Sequence, residues 1–518
     1  MSNLSDLRVA LVQPELYEGC PARTRNCVDG LLETAAAQGA DVAVVPGLPL
    51  YANPDSETAH PTLVGLNGTH VEGAQVLRVD CNGETYRVFM HEDGQDATGV
   101  QADMAVPCSK EKPWTIDGED ADITFDSMPT VLPRFVGMAN RDDNVWCYSG
   151  QTMVAGAHGN NPTVVLRGDF ESDVKVLDLS GELGEARTAP RLVDALTSTI
   201  RRFDEQVLGG SKWIIGLSGG LDSSVVAALL VRALGPEKVV AYNLATRYNA
   251  KATKDNAAQL ANSLGIVLKN GSIETLVGAT GKTVEQYGYA PEAYGGLVLE
   301  NAQARLRGHL LSTFAAIEGG VVVNNGNCVE CALGYATLYG DAIGALCPIA
   351  SLTTVQLVTL ARDLNALSGE DVVPRSLLPV ETEKGLKWDV MPSAELYEGQ
   401  KDPMKWFYHD WLISKLDDEG EDAASAVLAQ YLEDKLGSTE VGKWVRYYGL
   451  DEPAAFVDDL EWVVKSMRRA TFKRIQSPPR INVLSSGFAA GHVWQGGVEQ
   501  SERYLELREL VLRSACRL

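Results

Sequence analysis

Trp213-Ile214-Ile215-Gly216-Leu217-Ser218-Gly219-Gly220-Leu221-Asp222-Ser223-Ser224, continued by the apolar run Val225-Val226-Ala227-Ala228-Leu229-Leu230, is the stretch of this 518-residue chain that decides its fold. The order is strand, glycine turn, helix. A helix beginning there aims its unbonded N–H groups and its positive end at the turn, which favours an anion at that spot. The glycines let the backbone approach oxygen atoms closely, and Ser218 and Ser223 add hydroxyl donors. Asp222 can hold a magnesium ion that screens phosphate charge. Ser218, Gly219, Gly220, Asp222 and Ser223 therefore read as a pyrophosphate cradle. A strand-to-helix glycine turn can also serve packing alone, but packing explains neither the hydroxyls nor the carboxylate. Downstream, Gly281-Lys282-Thr283 looks like the end of a Walker loop. The glycine such a loop needs five positions earlier is Leu276, so the match is set aside.

Working outward, strands and helices alternate after the cradle, which predicts a doubly wound parallel sheet. Before it, the polar, proline-closed segment 178–190 reads as a linker, followed by an amphipathic helix from Leu192 to Val207. This divides the chain into domains at 1–180 and 185–518. In the first, strands are expected at Leu7–Val12, Val42–Val45 and Tyr86–Met90, with a helix over Thr24–Gln38. The acidic stretch 417–422 reads as a solvated loop or helix start.

Composition narrows the function. The formal net charge of -24 repels polyanions, so no nucleic-acid partner is expected, and a small substrate is steered locally by a few arginines. No apolar run approaches the roughly 20 residues that a membrane span needs, and the first residues lack a secretory pattern, so the expected location is the cytoplasm with no membrane partner. Nine cysteines are scattered without a disulfide or metal-ligand pattern. Cys328-Val329-Glu330-Cys331 is a CxxC with no second half to complete a zinc site.

Ser218-Gly-Gly-Leu-Asp-Ser223 resembles the signature of the N-type ATP pyrophosphatases, whose fold is the adenine nucleotide alpha hydrolase-like doubly wound sheet. The segments Glu300–Arg307, Gly326–Asp341, Pro348-Ile349, Pro392–Leu396, Gln400–Asp402 and Phe472–Arg474 are similar in order and spacing to the NAD synthetase family, over residues 190 to 480. The resemblance implies ATP and Mg2+ as cofactors. It makes Asp222 and Glu330 the catalytic metal-holding pair, Arg247 a nucleotide contact, and Asn301, Arg305, Asp341 and Lys473 contacts for deamido-NAD or an analogue. It also implies ammonia or an amine as acceptor and a homo-oligomer. Departures accompany it: the usual threonine is Asn325, and two expected lysines are Cys328 and Thr354, so phosphate charge is less well neutralised. Lys251, Lys254 and Arg474 are the candidate replacements.

The N-terminal third resembles a nitrilase-like glutaminase domain, an α/β sandwich, here truncated. Its chemistry needs a nucleophilic Cys, a Glu and a Lys. The glutamate expected after Pro46 is Gly47, the nucleophile position falls on His91, and no lysine precedes Lys110. Cys81 and Cys108 lack a plausible neighbouring base. A pseudo-glutaminase is expected, and three readings of the whole remain. The first is an ammonia-dependent amide ligase like NAD synthetase, and the second a specialised amide ligase with another carboxylate or amine. The third is a non-catalytic regulatory relative, which retained Asp222 and Glu330 disfavour.

Overall fold

The computed structural model of the protein describes residues 7–17, 20–47, 61–92, 101–108, 130–132, 134, 136–141, 144–149, 152–155, 170–178, 191–382, 385–390, 392–393, 395–397, 400, 402–418, 422–433, 435–437, 439–483 and 501–514. The chain forms two compact units, Met1–Asn140 with Val145–Arg202, and Arg141–Asn144 with Phe203–Leu518. The expected linker lies outside the described residues beyond Asp178.

In the first unit, the strand Arg8–Gln13 is buried at every residue after Arg8, as a strand covered on both faces must be. It pairs in parallel with Val42–Val45 and antiparallel with Asp173–Asp178, and Thr62–Gly65 adds to the far side of Val42–Val45. Side-chain alternation then sorts the residues. Val9, Leu11, Val42 and Val44 pack against Val79, Tyr86, Val88, Met104 and Val106 of a second, six-stranded sheet. Ala10, Val12, Ala43 and Val45 face the helix Pro21–Ala37 through Ala35. This is an α/β sandwich, with helix, sheet and sheet stacked in that order. Gly47 lies half-buried just past Val42–Val45, and His91 stands on the strand Glu84–Glu92 opposite Pro107 of a parallel neighbour. Lys110 is outside the described residues.

The second unit is built on four parallel strands, ordered Val267–Ser272, Val239–Ala245, Lys212–Gly216, Gly320–Val322. Numbered along the chain, that is third, second, first, fourth. The winding reverses beside Lys212–Gly216, and a doubly wound sheet opens a crevice at the carboxyl ends of its strands at such a point. The helix Gly296–Glu318 covers one face through Leu311, Phe314 and Ala315, with Phe314 stacked on Tyr242 at a centroid distance of 4.3 Å. The helix Leu221–Leu234 is buried continuously from Ser223 to Leu230, which explains why its sequence is apolar all round. A second core gathers Tyr408, Leu412, Val427, Leu428, Phe456 and Leu460 from the helices Tyr408–Asp418, Ala423–Leu432 and Pro453–Arg469. Gly281-Lys282-Thr283 falls inside the helix Glu274–Gln286 and forms no phosphate loop.

The amphipathic helix stops sooner than its periodicity predicts. It runs as an α-helix over Leu192–Phe203 and widens into a π turn at Asp204–Leu208. The cause is Asp204, whose carboxylate is fully buried. It accepts from the Trp213 indole N–H at 2.8 Å, the Ser211 N–H at 3.0 Å and Lys238 Nζ at 2.6 Å. The wide turn is what seats it there, fixing the root of the central strand. Replacing Asp204 by Ala strands the Trp213 donor and the Lys238 ammonium, so the expected loss of stability is about 3 kcal/mol, read from urea unfolding midpoints. An unchanged midpoint would remove Asp204 from this role.

Candidate active site

The crevice at the reversal point is a cleft of about 350 Å3. Ser218, Gly220, Asp222, Ser223, Asn325, Glu330 and Asp341 all line it. The cradle is shaped by short local bonds: Gly220 N–H donates to Ser218 Oγ at 3.2 Å, and Ser218 and Ser223 hydroxyls meet at 3.1 Å. Gly219 has φ +87, and a Cβ there would stand 1.8 Å from the Thr253 carbonyl oxygen, so no other residue fits the turn. Gly220 caps the following helix without a side-chain bond, leaving the positive end of that helix facing the cleft.

Asp222 and Glu330 are joined by Asn327. Its Nδ2 donates to Asp222 Oδ1 at 2.8 Å and its Oδ1 accepts from Glu330 N–H at 3.0 Å, while its own N–H donates to Glu330 Oε2 at 3.2 Å. The last two bonds are a capping box at the start of the helix Cys328–Leu333. Both carboxyls border the open cleft but are otherwise packed in protein. Burial, with Asp402 adding to it, pushes Asp222 up to about 6. Burial and then the neighbouring Asp222 hold Glu330 well above the usual carboxylate range. Two carboxyls that resist ionising together are a natural seat for a divalent cation. Among the described residues there is no cluster of three or more His, Cys, Asp or Glu side chains suited to a metal. The pair fits magnesium, which is commonly held by one or two carboxylates and completed by water and phosphate oxygens.

The remaining expected residues divide. Asn301, Arg305 and Lys473 do not line the cleft but tie down the segment 334–341 that carries Asp341 into it. Asn301 Oδ1 accepts from Thr337 Oγ1 at 2.8 Å, and Arg305 Nε donates to the Leu338 carbonyl at 3.3 Å. Lys473 Nζ donates to the carbonyls of Gly334 and Ala336 at 2.7 and 2.6 Å. Arg247 is exposed, stacked on Tyr248 with its NH2 on the Tyr248 hydroxyl at 3.0 Å, and is not a lining residue. Lys251 and Lys254 sit on an exposed helix face. Arg474 is buried away from the cleft, its NH1 donating to the carbonyls of Ala332 and Met467. None of the three lines the cleft. Thr354 is bound to Asp410 and Cys328 is buried, and neither lines the cleft.

Cations do reach the cleft, on Arg307 and Arg480. Ala304, Arg307, Gly308 and Leu311 follow helical i, i+3, i+4, i+7 spacing on the face that lines it, whereas Arg305 points elsewhere. A Cβ on Gly308 would stand 2.4 Å from the Gly340 carbonyl oxygen, so helix and loop touch backbone to backbone. Burial holds Arg307 down at about 10, only partly offset by Asp341, Glu274 and Glu395; it is still a full cation at neutral pH. Asn327, Arg307, Tyr335 and Asp402 were all missed as site residues. Asn327 and Arg307 had signals: an Asn-x-x-Glu capping box and a helical period. Tyr335 donates to Asp402 Oδ1 at 3.2 Å, a pairing across 67 positions that no local pattern announces. Gly219→Ala is expected to leave expression intact but to open the cradle, weakening nucleotide binding at least tenfold by calorimetric titration.

Residues 191–417 match the NAD synthase family profile. The chain is 32% identical over 256 residues to the glutamine-dependent NAD(+) synthetase of Xylella fastidiosa (strain 9a5c), a match covering 47% of this chain and 44% of that protein. It thus spans less than half the length of that relative. It is 33% identical over 211 residues to the NH(3)-dependent NAD(+) synthetase of Chlorobaculum tepidum, covering 41% of this chain and 68% of the relative. The fold of glutamine-dependent NAD+ synthetase from Acinetobacter baumannii, solved in complex with adenosine diphosphate, superposes over 93% of this chain and 97% of that one, with a TM-score of 0.59 at 19% identity. That likeness covers both units and shows that the chain shares the fold of that protein. On the sequence match to a relative of which it covers two-thirds, the chain belongs to the NAD synthetase family.

Proposed function

We propose that this chain is an ATP-dependent, AMP-forming carbon–nitrogen ligase that activates the carboxylate of deamido-NAD and transfers it to ammonia. The observation that carries the reading is the Asp222–Asn327–Glu330 bridge at the mouth of the Ser218–Ser223 cradle. The cradle offers backbone and hydroxyl donors to pyrophosphate beside a carboxylate pair suited to magnesium. Support comes also from the relatives, named as NAD synthetases, and from the nucleotide bound in the Acinetobacter baumannii protein.

In this reading a carboxylate oxygen of the substrate attacks the α-phosphorus of ATP, and the bond to the pyrophosphate oxygen breaks. Ammonia then attacks the carbonyl carbon, AMP leaves and the amide nitrogen gives up a proton. Charge grows on pyrophosphate as it departs, which is where the cradle donors and the positive helix end act. Magnesium held by Asp222 and Glu330 supplies further charge neutralisation when bound. Arg307 compensates in part for the lysines replaced at Cys328 and Thr354. Asn325 donates to the Gly216 carbonyl at 3.1 Å, and its Oδ1 is buried in the cleft wall with no partner among the described residues. That acceptor suits a ligand hydroxyl or amine. Asp341 and its buttresses Asn301, Arg305 and Lys473 shape the side where the second substrate sits.

ATP–pyrophosphate exchange with a panel of carboxylates tests the reading, since exchange requires an acyl-adenylate; exchange with none of them, deamido-NAD included, defeats it. Asp222→Asn keeps the shape and the Asn327 contact but cannot neutralise a cation, so the fold should persist while exchange falls on the order of 100-fold. Wild-type exchange in that variant would contradict the assignment.

The nitrilase-like unit is read as a pseudo-glutaminase, on Gly47, His91 and the absence of lysine before Lys110. Ammonium should therefore support amide formation and glutamine should not. Glutamate released from glutamine by the pure protein would show that this unit has kept its own chemistry.

A further inference from the structure

Cys328-Val329-Glu330-Cys331 reads in sequence as one dithiol, but the fold gives Cys331 another neighbour. The sulfurs of Cys331 and Cys347 meet at one residue: a Cβ on Gly326 would stand 3.5 Å from Cys331 Sγ, and Cys347 Sγ lies 3.3 Å from the Gly326 carbonyl oxygen. Cys347 Sγ also lies 3.0 Å from Asn324 Oδ1, so its single S–H is shared between these two acceptors. Both acceptors belong to the turn 324–327. The two sulfurs are thus the floor beneath the turn that brings Asn325 to the cleft and Asn327 to Asp222 and Glu330. Both line the cleft, Cys331 partly exposed and Cys347 buried. Cys328 is buried, does not line the cleft, and has its N–H on the Leu352 carbonyl.

We infer that Cys331 and Cys347 form a reversible thiol–disulfide site, closed by a peroxide entering through the cleft, and that closing it disables the cleft. The Cys331 sulfur, the more accessible of the two, attacks a peroxide oxygen. The O–O bond breaks, one water leaves, and a sulfenic acid remains. The Cys347 sulfur then attacks the sulfenic sulfur; the S–S bond forms as the S–O bond breaks, and the hydroxyl leaves with the Cys347 proton as a second water. Two thiols lose two electrons and one peroxide becomes two waters, while a small dithiol restores the pair by exchange. A disulfide has no S–H to donate, so Asn324 Oδ1 and the Gly326 carbonyl lose their sulfur donor. Drawing the sulfurs into a bond also moves the floor of the turn. Asn327 moves with it, and so do the two carboxyls it positions. A misplacement of catalytic groups by about 1 Å costs on the order of 100-fold in rate.

The cross-link is independent of the proposed ligase activity; its effect on turnover rests on that reading. The test treats the full-length protein with hydrogen peroxide, alkylates remaining thiols, and maps disulfide peptides by mass spectrometry. ATP–pyrophosphate exchange with deamido-NAD is followed in parallel, before and after dithiothreitol. The expected result is a Cys331–Cys347 peptide, a drop in exchange of about 100-fold, and its recovery on reduction. Cys347→Ser, which keeps a hydroxyl donor for Asn324, should lose the peroxide sensitivity of whatever rate it shows. A Cys328–Cys331 peptide, or no cross-link, overturns the site. A Cys331–Cys347 cross-link with unchanged exchange, or undiminished peroxide sensitivity in Cys347→Ser, overturns the link to turnover. If untreated protein exchanges with no carboxylate, the ligase reading fails and the peptide map still decides the site.

Discussion

Two carboxyls that repel one another have to be held at the end of a parallel sheet, and one amide does it. Asn327 bonds Asp222 through its side-chain nitrogen and closes a capping box on Glu330 through its oxygen and its own N–H. Its position depends on the turn 324–327, which is pinned by Asn324. That residue donates to the carbonyls of Asp341 and Ile343 at 2.8 and 2.9 Å and accepts from Gly326 N–H at 2.8 Å. The fourth strand, the capped helix and the loop carrying Asp341 therefore meet at adjacent asparagines. Both carboxyls are held above their usual range, by burial first and then by a neighbouring carboxyl, Asp402 for Asp222 and Asp222 for Glu330.

Charge elsewhere in the cleft is handled with equal economy. Among the described residues only Arg307 and Arg480 bring a lysine or arginine side chain to the cleft, and Arg307 is held by burial and by its Nε donating to the Leu244 carbonyl at 3.0 Å. Lys473, expected as a substrate contact, and Arg474, expected as a replacement cation, both spend donors on backbone carbonyls. Arg305 does the same at the Leu338 carbonyl, and Asn301 Oδ1 accepts from the Thr337 hydroxyl of the same loop. The bonds of Lys473, Arg305 and Asn301 tie the loop down, and helix and loop approach so closely at Gly308 and Gly340 that neither tolerates a Cβ.

The sandwich of the first unit rests on two separate packing demands. Val9 and Leu11 need the second sheet, and Ala10 and Val12 need the helix Pro21–Ala37. Both demands are satisfied by apolar residues.

The sequence by itself determined the cradle, the parallel sheet behind it and the nitrilase-like sandwich, because each rests on a local pattern. Residues 213–230 carry strand, turn and helix within one window, and Leu7–Val12 and Val42–Val45 are short apolar runs that read as buried strands. It also marked Asp222, Glu330 and Asp341, through motifs whose order survives in the chain. Tertiary structure alone decided which long side chains face the cleft. Arg305 and Arg307 are two positions apart, and the helix turns through about 200° between them, so only the packing of Gly308 on Gly340 could say which one looks inward. Likewise Cys331 is three residues from Cys328 yet meets Cys347 at Gly326, and Asn327 reaches Asp222 across 105 positions. Such contacts depend on where the sheet reverses its winding, a property of the assembled strands that no single segment contains.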